Sequence, residues 1–368
     1  MSRVVQYHPS VIGADAIGAS ISALHQVLLE RGVASFVACA DVSLTSSNRA
    51  TLSTSMLKRV AWRDTDLLLL HYSFFNEDIE SLIDLPVQKI LIYHNVTPGH
   101  FFRGQGSLSW VGDMCDHSRA QMRRFAGAFE KGVGDSDYNC AELREFGFKD
   151  PETIPVFYDD GLFGSLELDN QLYLDIKAAT EVNIVFVGRF VPNKRHDLLI
   201  DTLAAYKRLF GRPATLHLAG KIWGDDYYLG LLGRAAQAGV LSDIKIYQNA
   251  SGLAIKTLFA AADAYISMSE HEGFMVPVLE AFTVGCPVIA YGRTAVGETM
   301  GSAGIKFDVL DPAIPAGYLE LLRRDKTLRA DIVREQADRA TDFYSEATAR
   351  KWLSFLERYV DISAGLNS

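Results

Sequence analysis

The chain has 368 residues, 48% hydrophobic and 22% charged, enough to bury the cores of about two soluble globular domains. Its net charge of −9 lacks the basic excess that binding nucleic acid requires. No run of about 18 apolar residues is present to span a bilayer, and the start, Met-Ser-Arg-Val-Val-Gln-Tyr, reads as a first strand rather than a signal peptide.

Short β-branched runs alternate with helical periodicity. In the first half the expected strands are Val4–Tyr7, Ser35–Ala40, Leu67–His71, Lys89–Tyr93 and Gly132–Asp135. Ile17, Ile21, Leu24 and Leu28 mark a helix between the first two, closed by Gly32. The Ser/Thr-rich stretch from Ser43 to Ser55 reads as a loop. Leu67 to Leu70 is continuously apolar, as in a strand buried on both faces of a parallel sheet. The second half repeats the plan with Asn183–Val187, Thr215–Ala219, Ile244–Tyr247, Ala264–Ser267, Pro287–Ala290 and Gly304–Phe307. This βαβ alternation predicts an α/β chain of two doubly wound domains, crossing over between Asp150 and Asp169. The expected division is 1–165, 166–342 and a terminal segment 343–368. Cys39, Cys115, Cys140 and Cys286 are scattered without metal or redox spacing and read as reduced thiols of a cytoplasmic protein.

Ligands of such sheets gather at the carboxyl ends of the strands. After Val187 come Gly188, Arg189 and Lys194: a glycine for close approach, a planar fork for phosphate and a point charge. Gly220 and Lys221 follow the next strand, and Gln248-Asn249 the one after. In the first half, Gly13, Asp15 and Gly18 precede or open a helix. The five-residue spacing of the two glycines is not the dinucleotide fingerprint, which disfavours a dehydrogenase. His94-Asn95-Val96-Thr97 stands at the end of the fourth strand, a better place for a working histidine than a helix interior. His25 and His217 read as structural, and Asp263 as a turn or cap residue.

The most informative stretch is Ser269 to Glu280, Ser-Glu-His-Glu-Gly-Phe-Met-Val-Pro-Val-Leu-Glu. A strand ends before it and a helix is expected from about Val276 to Val284, stopped by Gly285. Glu272 lies beside the helix N-terminus, an anion-favouring place, and Glu280 about a turn inside. The arrangement suits a ligand with an anionic middle and hydroxyl-bearing ends, such as a nucleotide-sugar. Pro277 and Gly285 are also ordinary helix punctuation, so the acids alone do not decide the matter.

Together these pieces resemble glycosyltransferase family 4, the retaining GT-B enzymes, over residues 181 to 310. The matching residues run in order: Gly188-Arg189 through Lys194, Leu218-Ala219-Gly220, Ala262-Asp263-Ala264-Tyr265-Ile266, Ser269 to Glu280, Gly285-Cys286-Pro287-Val288-Ile289, and Gly297-Glu298 through Ala303-Gly304. More diffusely, Asp15-Ala16-Ile17-Gly18 and Tyr93 to Pro98 resemble a bacterial polysaccharide or O-antigen subgroup. The resemblance implies two Rossmann-like domains facing each other across a cleft. The first would be the acceptor side and the second the donor side, with Phe343 to Tyr359 as a helix returning to the first.

By the same resemblance, Glu280 would bind the ribose, and Arg189 and Lys194 the diphosphate. Glu272, Gly273, Phe274, Met275 and Val276 would hold the donor sugar. Gly13, Asp15 and Gly18 would approach the diphosphate, and Gly188, Gly220, Lys221 and Asn249 would complete the donor site. His94 would face the sugar, with Asn95, Thr97 and Arg119 toward the acceptor. Met275 stands where the family commonly has glycine, which leaves the donor sugar open. Gly13-Ala14-Asp15 replaces a tight glycine pair.

The expected reaction moves a hexose from a UDP- or GDP-linked donor, GDP-mannose among them, to a hydroxyl of a growing glycan or lipid-linked oligosaccharide, with retention. No Asp-x-Asp pair stands at a strand end, and Asp64-Thr65-Asp66 precedes a strand, so neither a metal nor a separate cofactor is expected. Tyr72, Phe74, Phe75, Phe101, Phe102 and the Arg119, Arg123 and Arg124 group suit an acceptor or peripheral contact with the inner membrane, and equally loop packing and a solvated helix face. Two other readings share the pattern: a sugar-nucleotide epimerase, which needs no acceptor, and a non-catalytic nucleotide-sugar-binding subunit of an assembly complex.

Overall fold

The computed structural model describes residues 2–11, 16–40 and 52–362. Packing divides them into two units. The first takes the chain through Val96, then Met114–Asp159 and everything from Phe343 onward. Its seven strands are β1 (Arg3–Tyr7), β2 (Ala34–Cys39), β3 (Leu52–Ser53), β4 (Leu67–Tyr72), β5 (Gln88–Tyr93), β6 (Lys131–Gly134) and β7 (Glu152–Thr153). They pair in the order β3-β2-β1-β4-β5-β6-β7, every pairing parallel. Leu67 to Leu70 are fully buried, as an unbroken apolar run sandwiched between helix layers requires.

The helix Ala16–Glu30 lays Leu24 and Leu28 on Val4, Leu67 and Leu69. The same cluster is completed from the far end of the chain by Trp352, Leu353, Phe355 and Leu356 of the helix Ser345–Leu356. The two-residue strands β3 and β7 are too short to leave a periodic signal. Part of the Ser/Thr-rich stretch read as a loop is structured: Leu52–Ser53 is β3, and Ser53 caps the helix Thr54–Leu57 by accepting from the Met56 amide. Residues 43–51 of that stretch lie outside the described residues.

The second unit is Thr97–Asp113 with Asp160–Asp342. Its strands are β8 (Val182–Val187), β9 (Ala214–Ala219), β10 (Ile244–Tyr247), β11 (Ala264–Ser267), β12 (Val288–Tyr291) and β13 (Ile305–Phe307). The order is β10-β9-β8-β11-β12-β13, again all parallel. The chain winds outward from β8 in both directions, so the strand order reverses between β8 and β11. A doubly wound sheet opens a crevice at that point. Thr97–Asp113 leaves the first unit to pack with the second, an excursion that no compositional boundary in the sequence announces.

Candidate functional site

The carboxyl ends of β10, β9, β8 and β11 form one edge of the second sheet. At the reversal, Lys194 from the loop after β8 meets Glu272 from the loop after β11. The ammonium contacts both carboxylate oxygens at 2.5 Å, with the two side chains 15% and 7% exposed. Backbone contacts fix both partners. The Glu270 amide donates to the Asn193 carbonyl (2.9 Å), and Asn193 Nδ2 donates to the His271 carbonyl (3.0 Å), clamping one loop to the other. The Glu272 amide donates to Thr294 Oγ1 at 3.0 Å.

Glu280 sits inside the helix Val276–Thr283, half-buried, its carboxylate without a hydrogen-bond partner among the described residues. Burial pushes its carboxyl up to about 7. The Tyr265 phenol in β11 is driven well above its ordinary value by burial, then by the charges of Glu272 and Glu280. The helix N-terminus has no capping side chain; Pro277 has no amide hydrogen, and the Val278 amide donates to the Met275 carbonyl at 3.0 Å. Met275 precedes it with its side chain buried at 2% exposure, directed into the core instead of standing open.

Gly188 and Gly220 touch at the tips of β8 and β9: a Cβ on Gly220 would lie 2.0 Å from the Gly188 carbonyl oxygen. Only glycine permits that approach. Arg189 is exposed and lies over the Trp223 ring at 4.6 Å. Lys221 and Asn249 are exposed at the ends of β9 and β10, Asn249 with φ of 52°. Gly273, Phe274 and Val276 are half-buried between Glu272 and the helix. The structure thus joins Lys194 to Glu272 directly and sets Gly188, Arg189, Gly220, Lys221 and Asn249 along the same strand edge. Sequence reasoning missed Asn193, Tyr265 and Thr294. Thr294 follows β12 and was within reach of a search of strand ends; Tyr265 lies inside a strand and carried no signal.

Also within this unit, a cavity of about 670 Å³ is lined by Phe101, Arg195, Asp197, Tyr227, Arg234 and Glu270 among others. Arg195 is tied to Asp197 and Glu270, and Arg234 to Asp201. The cavity's cations already have partners. Among the described residues no three His, Cys, Asp or Glu side chains gather as a metal site.

In the first unit the strand ends behave differently. His94 follows β5 with its ring only 3% exposed. Its Nδ1 lies 3.0 Å from Asp135 Oδ2 and its Nε2 2.8 Å from His71 Nδ1. Asn95 (φ 74°) and Arg119, expected toward the acceptor, hold Glu142: Asn95 Nδ2 donates at 2.8 Å and Arg119 Nη1 at 2.6 Å, with the Tyr93 hydroxyl donating at 3.1 Å. Thr97 is half-buried. Gly18 is no loop residue; it lies in the first turn of the helix Ala16–Glu30, where its carbonyl accepts from Ser22. Gly13 and Asp15 lie outside the described residues.

The aromatic and basic group weighed for a membrane is largely packed. Tyr72 and Phe102 are buried, Arg124 pairs with Glu80, and Arg123 lies over Phe146. Asp66 pairs with Arg3 at the amino end of β1 and β4, away from any ligand edge. Among the described residues no helix is long and apolar enough to cross a membrane.

Residues 176–336 match the family model described as glycosyl transferases group 1. Over 249 residues the chain is 30% identical to a D-inositol 3-phosphate glycosyltransferase of Jonesia denitrificans, covering 64% of this chain and 58% of that one. Over 143 residues it is 33% identical to O-antigen chain mannosyltransferase B of Escherichia coli, covering 38% and 37%. The matched part of the chain therefore spans less than two thirds of these relatives. Among solved structures, sucrose-phosphate synthase from Thermosynechococcus elongatus superposes with a TM-score of 0.75 at 14% identity over 97% of this chain and 99% of that one. Anabaena HepE in complex with UDP-glucose superposes with a TM-score of 0.73 at 15% identity over 97% and 99%. The fold is GT-B: two Rossmann-like halves, each built on a parallel sheet.

Proposed function

We propose that the chain is a glycosyltransferase of the family 4 kind, moving a hexose from a nucleotide-diphosphate sugar to an acceptor hydroxyl with retention. The observation that carries this reading is the Lys194–Glu272 pair at the order reversal of the second sheet. The group 1 match and the transferase names of the relatives support it.

In the proposed complex Arg189, Lys194 and Lys221 face the diphosphate, and the amino end of the helix Val276–Thr283 adds its dipole. Glu272 holds Lys194 in place and offers its remaining lone pairs to donor-sugar hydroxyls. Glu280 accepts from the ribose. Glu272 is already bonded to an ammonium through both oxygens, which makes it a poor nucleophile and argues against a covalent glycosyl intermediate. The acceptor oxygen then bonds to the anomeric carbon on the face that the phosphate leaves. The C–O bond to phosphate breaks, the leaving phosphate oxygen takes the acceptor proton, and a nucleoside diphosphate departs. These cations carry the leaving-group charge in the proposed reaction, with no divalent ion assigned to it.

The mannosyltransferase name of the Escherichia coli relative favours a mannosyl donor, and the HepE complex a uridine nucleotide, so both bases belong in the test. The proposed acceptor is a growing glycan or lipid-linked oligosaccharide met on the cytoplasmic face of the inner membrane. Carboxylates and rings around the 670 Å³ cavity suit an acceptor sugar. A thermal-shift panel of UDP, GDP and their hexose conjugates tests the reading. A bound donor at about 100 times its Kd stabilises the fold by about 2.7 kcal/mol. The expected result is a rise in Tm with at least one diphosphate, absent in Lys194→Met. No response to any of them sinks the proposal. Product formation only when an acceptor is supplied separates a transferase from an epimerase or a silent binding subunit.

A further inference from the structure

Four buried groups run in a row across the carboxyl side of the first sheet: Gln6 from β1, His71 from β4, His94 after β5 and Asp135 after β6. Their residues or rings are 0%, 2%, 3% and 5% exposed in that order. Three contacts join them: Gln6 Oε1 to His71 Nε2 at 3.1 Å, His71 Nδ1 to His94 Nε2 at 2.8 Å, and His94 Nδ1 to Asp135 Oδ2 at 3.0 Å. The Gln6 amide cannot turn round, because its Nε2 donates to the Ile21 carbonyl at 3.1 Å. Its oxygen must face His71.

Each contact needs one hydrogen between two lone pairs. Two neutral imidazoles supply two hydrogens, and an ionised carboxylate supplies none. Three contacts therefore exceed the supply by one. Every arrangement with two hydrogens sets a pair of acceptors face to face at hydrogen-bond distance without water, a costly state for buried groups. The row closes only with a third proton. His71 then carries hydrogen on Nε2, donating to Gln6, and accepts at Nδ1 from His94. The extra proton lies between His94 and Asp135.

We propose that Asp135 is a positioning residue that keeps one surplus proton on the row Gln6–His71–His94–Asp135, leaving it without net charge at neutral pH. The surroundings agree with a neutral row. Burial drives His71 well down and Asp135 up, and the charge of His8, on the loop after β1, also disfavours a cationic His71. The Arg119–Glu142 pair beside Asn95 neutralises itself.

Nitrogen-15 NMR of the histidine-labelled full chain at pH 7.5, with the His71 signals assigned by their loss in His71→Gln, reads the tautomer directly. His71 is expected to be protonated on Nε2 and bare on Nδ1; the opposite tautomer overturns the proposal. A second measurement uses Asp135→Asn, whose amide donates to His94 Nδ1 and closes the row with no extra proton. Above pH 7 the unfolded chain lacks the surplus proton and the folded chain keeps it, so stability falls as pH rises. Between pH 7 and 9 the wild-type folding equilibrium constant is expected to drop by up to tenfold per pH unit relative to Asp135→Asn. Equal slopes overturn the proposal, and if Asp135→Asn does not fold, the wild-type tautomer alone decides. Neither readout involves nucleotide, so failure of the transferase reading shows separately in the thermal-shift panel.

Discussion

The two sheets place polar residues at equivalent strand ends and treat them in opposite ways. In the first unit Gln6, His71, His94, Asn95, Arg119, Asp135 and Glu142 bond to one another inside the protein. In the second, Arg189, Lys221 and Asn249 are exposed, with Arg189 over the Trp223 ring, the Glu280 carboxylate has no hydrogen-bond partner among the described residues, and Lys194 and Glu272 are bound to each other. A network that satisfies itself stabilises a fold, whereas charges left along a crevice are available to a ligand. Residue type alone does not tell the two apart.

The sharpest way to break this contrast is Glu142→Ala, which leaves the Arg119 guanidinium without its carboxylate and takes one partner each from Asn95 and the Tyr93 hydroxyl. Urea unfolding should show a loss of about 3–5 kcal/mol, with the nucleotide thermal shift intact. A loss below about 1 kcal/mol would make the first network ornamental. Next comes Lys194→Met, expected to lower kcat/KM by roughly 10²–10³-fold if the cation stabilises the departing diphosphate. The double change Lys194→Met with Glu272→Gln should recover fold stability, since no lone charge stays buried, but not turnover.

Glu280→Gln gives a third, slightly smaller effect with a definite sign. The folded acid titrates near 7 against an ordinary value near 4.5. Between those pH values the folded state holds a proton that the unfolded chain has released, so wild-type stability falls with rising pH and levels off above 7. The total decline is about 3 kcal/mol. The glutamine variant should lack that decline in denaturant midpoints measured from pH 5 to 8. The mildest test is Arg189→Ala. This exposed guanidinium should contribute about 1 kcal/mol, several-fold in diphosphate affinity by calorimetry, with stability unchanged.

Much of the architecture was legible because parallel strands buried on both faces leave unbroken apolar runs. Leu67–Leu70 and Ile184–Val187 are examples. β3 and β7, two residues each, left no period to read. That Lys194 and Glu272 lie at one edge of the second sheet was legible because both follow strands in a doubly wound sheet. The contacts of Asn95 and Arg119 with Glu142 were not, since Glu142 lies 47 and 23 residues away in the chain. Likewise His71 and Asp135 were seen only as strand residues. Their meaning depends on β1, β4, β5 and β6 lying side by side, a fact of topology that local pattern does not carry.

The helix Ser345–Leu356 has a consequence for synthesis. Trp352, Phe355 and Leu356 close the cluster around Val4 and Leu67, so this first-made core stays unsealed until residues translated about 190 positions after β7 arrive. At roughly 5–20 residues per second the interval is on the order of 10–40 s, during which the nascent sheet shows the ribosome exit and its chaperones an apolar face. The second unit contains all its own strands and can fold during that wait. The half begun first is therefore finished last.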